Sequence, residues 1–337
     1  MLSSGFLYIF RFTFIKMKDA VRYAGGRKMD QLSKMIDAAR MYYEYDYSQQ
    51  EIAKKLEMSR PTVSRILKKA KQEGIVEVTI HDPSEQIEQQ SSALRDRFGL
   101  KEVIIVHVDE KEYTLKEKLG EAAASFLDSH VQNDDILAAS WGTTMYETAK
   151  HMQTRPLPNL EIVQLNGGAS HSGNQTYATE IIHLLGSAFQ TDNWLLPLPA
   201  IVDHVSVKHA IETDRHIQRV LQKGKTAQKA IFSVGAPTID SVLMQTDYFT
   251  QDELVKLDNE AAGEICSRFF DDYGHICHEE LNERTIGIEL HELKKKEFSI
   301  LVAGGQMKYR AVRGALRGGY ANTLITDQKT AGRLLKD

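Results

Sequence analysis

Residues 47–74 read YSQQEIAKKLEMSRPTVSRILKKAKQEG, and the spacing of their apolar residues decides the first part of the fold. Ile52, Leu56, Met58, Val63 and Ile66 fall where two short helices crossing steeply bury side chains against each other, with Ala53 at the crossing point. Ser59 is placed to cap the second helix, Pro61 is tolerated in its first turn, and Gly74 can close it with a left-handed residue. The side chains left facing out are Ser59, Arg60, Thr62, Ser64, Arg65 and Lys68, residue types that bond to phosphates and to guanine or thymine edges. This pattern predicts a helix-turn-helix whose second helix reads a major groove.

Charge points the same way. Between Gln49 and Glu73 stand seven basic residues (Lys54, Lys55, Arg60, Arg65, Lys68, Lys69, Lys71) against three acidic ones (Glu51, Glu57, Glu73), in a chain whose net charge is -4. A local positive surface on a mildly acidic protein suits phosphate contact with counterion release. The plain alternative is a helical hairpin with a solvated basic face. One position departs from the usual pattern: Glu57 stands where many such motifs place glycine for the tight turn.

With 337 residues and 42% hydrophobic content, the chain can hold a small domain and a large one, each with its own core. Only Cys266 and Cys277 are present, without a CxxC pair, which fits a reducing cytoplasm and excludes a disulfide scaffold. Residues 1–28 differ from the rest, with the run FLYIFRFTFI interrupted by Arg11. No basic region precedes that run, no small-residue cleavage site follows, and it falls short of the ~20 residues of a membrane span. Met29 stands just before the pattern MDQLSKMIDAARMYY, so the sequence predicts a native start there, a non-native or disordered extension over 1–28, and no membrane partner.

The chain in order predicts four parts: that extension, a DNA-binding domain over 29–81, a linker helix over 82–99 and an effector-binding and oligomerisation domain over 100–337. Leu32, Met35, Ile36, Ala39 and Met41 to Tyr43 approximate one apolar face of a helix backing the reading pair, and the alternation IVEVTI over 75–80 predicts a wing strand. In the linker, Ile87, Leu94 and Phe98 make one weak stripe, for a dimer contact or for docking on the next domain. Beyond Gly99 apolar strands alternate with helices: KEVIIVHV, DILAAS, EIVQL, AIFSVG, FSILVAGG and TLITD. That alternation predicts an α/β, Rossmann-like domain with a mostly parallel sheet, whose ligands bind at the carboxyl ends of the strands.

Four strand ends carry candidate binding residues. Ser140-Trp141-Gly142-Thr143-Thr144 offers a backbone approach, hydroxyls and amides at a helix start, which suit a phosphate. Asn166-Gly167-Gly168-Ala169-Ser170-His171 follows EIVQL, Gly235 follows AIFSV, and Gly304-Gly305-Gln306-Met307-Lys308 adds a cation. For each, glycine serving turn geometry alone is the competing reading. Asp271, in the run from Glu264 to Gly274, is placed either to accept from sugar hydroxyls or to stabilise a turn. No GxxxxGK, GxGxxG, GxSxG or HExxH is present, and the 12 histidines form no recognisable ligand set, so the sequence predicts no cofactor, metal or catalytic group.

The order of a Tyr-Ser-Gln-Gln-Glu-Ile-Ala helix-turn-helix, SWGTT, LNGG, RFFD and AGGxxK resembles the SorC family of bacterial transcription regulators, and the resemblance covers nearly all of the chain after Met29. It implies a homodimer or homotetramer on operator DNA, with a non-catalytic domain related to sugar-phosphate isomerases. It also implies repression relieved by a sugar phosphate such as deoxyribose 5-phosphate. By the same motifs the phosphate is held by Gly142, Thr143, Thr144, Gly168, Gly235 and Lys308, and the sugar is approached by Asn166, Gly167 and Asp271. Some relatives carry Lys before the glycine pair; Asn166 cannot form an imine with an aldehyde, which implies reversible noncovalent binding unless Lys308 is placed to react. An isomerase with an added helical domain, using Asp271 and His171 as its general-base pair, is the competing function.

Overall fold

The structure is a computed structural model that describes residues 26–78, 83–108, 114–168, 177–238, 241 and 243–337. Two compact units divide the chain, Met1–Gln86 and Ile87–Asp337.

In the small unit, helices α1 (Gly26–Tyr43), α2 (Gln49–Lys55) and α3 (Arg60–Gln72) bury Met35, Ala38, Ala39, Ile52, Val63, Leu67 and Ala70 together. Local signals fix both short helices. Ser48 and Glu51 form a reciprocal capping box at the start of α2, and the Ser59 hydroxyl accepts from the Thr62 amide at the start of α3. Glu57 takes a left-handed φ of 52° in the turn between them, the conformation for which glycine is the usual choice, and Gly74 (φ 71°) closes α3. Three expectations need correction. Helix α1 begins at Gly26, before Met29, and its apolar stripe is rotated so that Ala38 is buried while Leu32 is 43% exposed. Residues 75–78 form no strand. The amides of Ile75 and Val76 both bond to the Ala70 carbonyl, closing the helix and leaving nothing to start a ladder; residues 79 and 80 lie outside the described residues, as do residues 1–25 of the expected extension.

The large unit starts with the remainder of α4 (Pro83–Phe98), where Leu94 is fully buried and Ile87 and Phe98 pack beside it on the unit's core, the docking role read for that stripe. Seven strands follow in one sheet: β1 (Glu102–Val106), β2 (Ile136–Ala139), β3 (Glu161–Gln164), β4 (Asp192–Trp194), β5 (Lys229–Phe232), then, after a two-stranded hairpin of β6 (Gly263–Ile265) and β7 (Arg268–Phe270), β8 (Phe298–Val302) and β9 (Thr323–Asp327). The order is β1-β9-β8-β5-β2-β3-β4 and every pairing is parallel. Helices α5 (Leu115–His130), α6 (Thr143–Lys150) and α7 (Ala178–Phe189) cover one face. The other face carries α4, α9 (Arg215–Thr226), which follows α8 (Val205–Glu212), and α13 (Tyr309–Arg317) and α14 (Gln328–Leu334). Helices α10 (Gln251–Glu260), α11 (Glu279–Arg284) and α12 (Leu290–Leu293) lie between the fifth and eighth strands in sequence. With a layer on each face, the inner strands are buried on both sides, as in β9, where all five residues of TLITD are buried, the polar ones included.

Strand order puts the binding crevice in one place. From β2 the chain steps outward through β3 to β4, then returns to β5 on the other side of β2 and steps away through β8. The reversal between β2 and β5 is a topological switch point, where loops diverge and leave a crevice at the carboxyl ends.

Candidate functional site

At that switch point α6 begins without a side-chain cap, and its N-cap Gly142 has φ 126° with open space where a Cβ would stand. Uncapped first-turn amides and the positive end of a helix favour an anion. Among the described residues neither the Thr143 nor the Thr144 hydroxyl has a hydrogen-bond partner, and Thr144 is 3% exposed. Across the crevice, the Lys308 ammonium donates to the Ser233 hydroxyl at 3.2 Å, joining the end of β8 to the end of β5. Burial, and after it the Lys116 charge, push the Lys308 amine down to about 8 against the opposing pull of Glu264.

The hairpin supplies a carboxylate that the sequence reading passed over. Gly235 and Glu264 exchange two backbone hydrogen bonds at 3.0 Å, and a Cβ on Gly235 would stand 2.2 Å from Glu264 Oε1, so the carboxyl lies flat against this glycine. Its other oxygen accepts from the Ser267 amide at 2.7 Å. Burial raises the proton affinity of Glu264, while the Ser267 amide and the Lys308 charge pull it back. Asn166, 1% exposed, points its amide nitrogen at the Ser267 hydroxyl (3.5 Å), and its Oδ1 has no partner among the described residues. The structure links Asn166, Gly235 and Lys308 to one another through Ser267, Glu264 and Ser233, which the sequence reading missed, while Thr143 and Thr144 start α6 after β2, the strand beside β5.

Other expected residues have different employment. The Gly167 amide bonds to the Ile286 carbonyl and the Gly168 amide to the Leu198 carbonyl, at 3.1 and 2.9 Å, so neither is free for a phosphate. A Cβ on Gly167 would stand 2.3 Å from the Pro199 carbonyl oxygen: glycine is required there for the close approach of two backbones. The Gly235 amide is likewise bonded within the hairpin bridge. Asp271 is a turn residue, one of the two readings open for it, its Oδ1 accepting from the Tyr273 and His275 amides at 2.9 Å each, while Glu264 stands beside Gly235. His171, Ala169 and Ser170 lie outside the described residues. Trp141 packs on the core while its indole donates to the Gly167 carbonyl at 2.7 Å and ties the first loop to the second.

On the small unit, Arg60, Ser64, Arg65 and Lys68 are exposed along α3, and among the described residues none of the three cations has an ion-pair partner. Thr62 is half-buried, and its hydroxyl bonds to that of Ser59 at 2.8 Å, so these two residues build the cap and present their remaining valences at the helix start. Three cations and a helix N-terminus on one surface suit a DNA backbone and the base edges between.

Known proteins resemble the chain over its whole described length. The Sugar-bind family, a sugar-binding domain, matches residues 81–336, and a Crp-like helix-turn-helix domain matches residues 29–85. The deoxyribonucleoside regulator of Bacillus subtilis is 46% identical over 312 residues, which cover 92% of this chain and 99% of that protein. The sorbitol operon regulator of Klebsiella pneumoniae is 30% identical over 316 residues, 91% of this chain and 99% of the relative. The crystal structure of the full-length sorbitol operon regulator SorC from Klebsiella pneumoniae superposes with a TM-score of 0.70 at 27% identity, covering 91% of this chain and 99% of that one.

Proposed function

Because the chain belongs to the SorC family of sugar-binding transcriptional regulators, we propose that it represses genes of deoxyribonucleoside or sugar catabolism and leaves its operator when a phosphorylated sugar binds. What supports the ligand class is the uncapped start of α6 after β2 together with the half-buried Lys308 ammonium, bonded to Ser233 at the ends of the neighbouring β5 and β8. One phosphate bridges them, accepting from the α6 amides, the Thr143 and Thr144 hydroxyls and the Lys308 ammonium. The sugar then extends toward Glu264 and Asn166, where a carboxylate and an unpartnered amide oxygen accept from hydroxyls. Deoxyribose 5-phosphate is the leading candidate, after the relative of 46% identity. With Asn166 before the glycine pair and the Lys308 ammonium engaged by the phosphate, the binding is noncovalent.

On DNA, Arg60 and Arg65 read base edges while Lys68 and the α3 N-terminus hold phosphates. A homodimer or homotetramer supplies a second reading helix, with half-sites about 34 Å apart or a multiple of that. The isomerase alternative is set aside, as the relatives are regulators and Asp271 serves its own turn. The test is to titrate deoxyribose 5-phosphate, ribose 5-phosphate and fructose 1,6-bisphosphate into the preformed operator complex and follow fluorescence anisotropy. A ligand that favours the DNA-free state weakens DNA binding by the factor by which DNA weakens its own binding, with a coupling of ~1 to 3 kcal/mol. If none of the three changes operator affinity at millimolar concentration, the reading is refuted for this ligand class. Thr143→Val or Lys308→Ala should remove the response and leave operator affinity without ligand nearly intact.

A further inference from the structure

Helix α8 buries a single side chain, and it is a lysine: Lys208 is 8% exposed. A buried ammonium costs free energy unless hydrogen bonds replace its hydration. Its nearest carboxylates, Glu289 at 3.7 Å and Glu212 at 3.9 Å, stand beyond hydrogen-bond reach. Glu289 is already committed to the fully buried Arg268, whose Nη2 donates to it at 2.7 Å. Burial first, and then the Arg268 charge, lower the proton affinity of Lys208. Beyond these two long ion pairs, whose pull raises its proton affinity, the ammonium has no close acceptor among the described residues, and it lines a cavity of about 590 Å³ between α8, α9 and the segment 287–289. Exposed Arg215, Arg219 and Lys225 ring the opening, so four cations face two carboxylates around one opening.

We propose that this cavity is a second anion site, separate from the strand-end pocket, that takes a phosphorylated small molecule with Lys208 at its floor and Arg215 and Arg219 at its mouth. Its volume suits a metabolite, and its lining of cations and amides suits a hydrophilic anion better than an apolar ligand. The phosphate meets the ammonium and supplies the acceptors it lacks, while the guanidinium groups grip the exposed oxygens. The floor of the cavity is also wired to the first pocket. The Ile288 amide bonds to the Leu165 carbonyl, the Gly167 amide bonds to the Ile286 carbonyl, and Asn166 bridges Gly287 across this short ladder. A ligand that shifts segment 287–289 therefore acts on the backbone that carries Asn166.

The proposal does not depend on the strand-end pocket, and the experiment keeps the two apart. Inorganic phosphate is titrated at constant ionic strength, with chloride as balance, into the full-length protein while the melting temperature is followed. In a Thr143→Val, Lys308→Ala background a saturable phosphate response should persist. Adding Arg215→Gln and Arg219→Gln, two exposed positions that leave the fold intact, should weaken that response at least about tenfold, the loss of one charge-assisted hydrogen bond. Lys208→Met should weaken it as much, and Lys208→Arg should retain it. A background that no longer responds to phosphate, or one whose response is unchanged by the Arg215 and Arg219 substitutions, overturns the second site. Failure of the strand-end reading looks different: the Thr143, Lys308 background would then titrate as wild type, with the arginine substitutions still deciding this proposal.

Discussion

Raising the pH from 7 to 9.5 should weaken effector binding about thirtyfold, because the phosphate needs a protonated Lys308. The amine sits at about 8 in the free pocket, pushed down by burial and by Lys116. The phosphate monoester is a dianion throughout this range, its second ionisation lying near pH 6, so the ligand keeps its charge. At pH 7 roughly nine tenths of free pockets carry the proton and at pH 9.5 only about 3% do, a difference of about 2 kcal/mol in apparent binding free energy. The sign runs one way: bound phosphate raises the lysine's proton affinity, so binding takes up a proton above pH 8 and affinity falls with pH. Below that the curve should be flat, and above it the slope should approach tenfold per pH unit. Calorimetric titration in buffers of different ionisation enthalpy measures affinity and proton uptake together. Lys308→Arg, charged at every pH, should flatten the profile. A wild-type affinity that stays constant to pH 9.5 would remove Lys308 from the phosphate and refute the geometry proposed for the pocket.

Arg65→Ala should cost ~1 to 3 kcal/mol on operator DNA in anisotropy titrations and little on random duplex; equal loss on both would make Arg65 a phosphate contact. Gly235→Ala drives a methyl to 2.2 Å from Glu264 Oε1, so urea unfolding should show a loss of about 1 to 3 kcal/mol, with the sugar response lost and operator affinity kept. Ser267 has φ 68°, and Ser267→Gly should relieve about 1 kcal/mol of left-handed strain, more than its 3.5 Å contact with Asn166 returns, raising the urea midpoint without a change in slope. A lowered midpoint would mean that the contact matters more than the strain.

The helix-turn-helix was legible because local and tertiary signals coincide in it: Ser59 and Gly74 mark the ends of α3 while Ile52 and Val63 supply the buried faces. The wing strand was misread because Val76, Val78 and Ile80 alternate with Glu77 and Thr79 as a strand does, yet the amides of Ile75 and Val76 close α3. In the large unit the strands that run as apolar stretches were readable, whereas β4, a three-residue strand at the edge of the sheet, offers too little period to detect. The hairpin of β6 and β7 escaped for a chemical reason. Its two-residue turn, Cys266-Ser267, takes φ of 52° and 68° without the Asn-Gly or Asp-Gly pair that normally announces such a turn. Missing the hairpin hid the register, and with it the fact that Glu264 faces Gly235 while Asp271 sits in the following turn. The glycine pair 167–168 shows the complementary ambiguity, for a ligand and a neighbouring backbone make the same demand on a sequence.

The place of β9 in the sheet has a consequence for synthesis. In the order of the strands β1 is an edge whose single neighbour is β9, with Glu102 beside Thr323 and Val106 beside Asp327. A ribosome therefore delivers the opening strand of the sheet long before the strand that completes it, and that distant pairing is slow to form. The helices from Gly26 to Gln72 need no such delayed partner, as their core is contiguous. A polypeptide cut short before Thr323 would carry a finished DNA-reading module on an unfinished receiver, a molecule that occupies operators and answers to no metabolite.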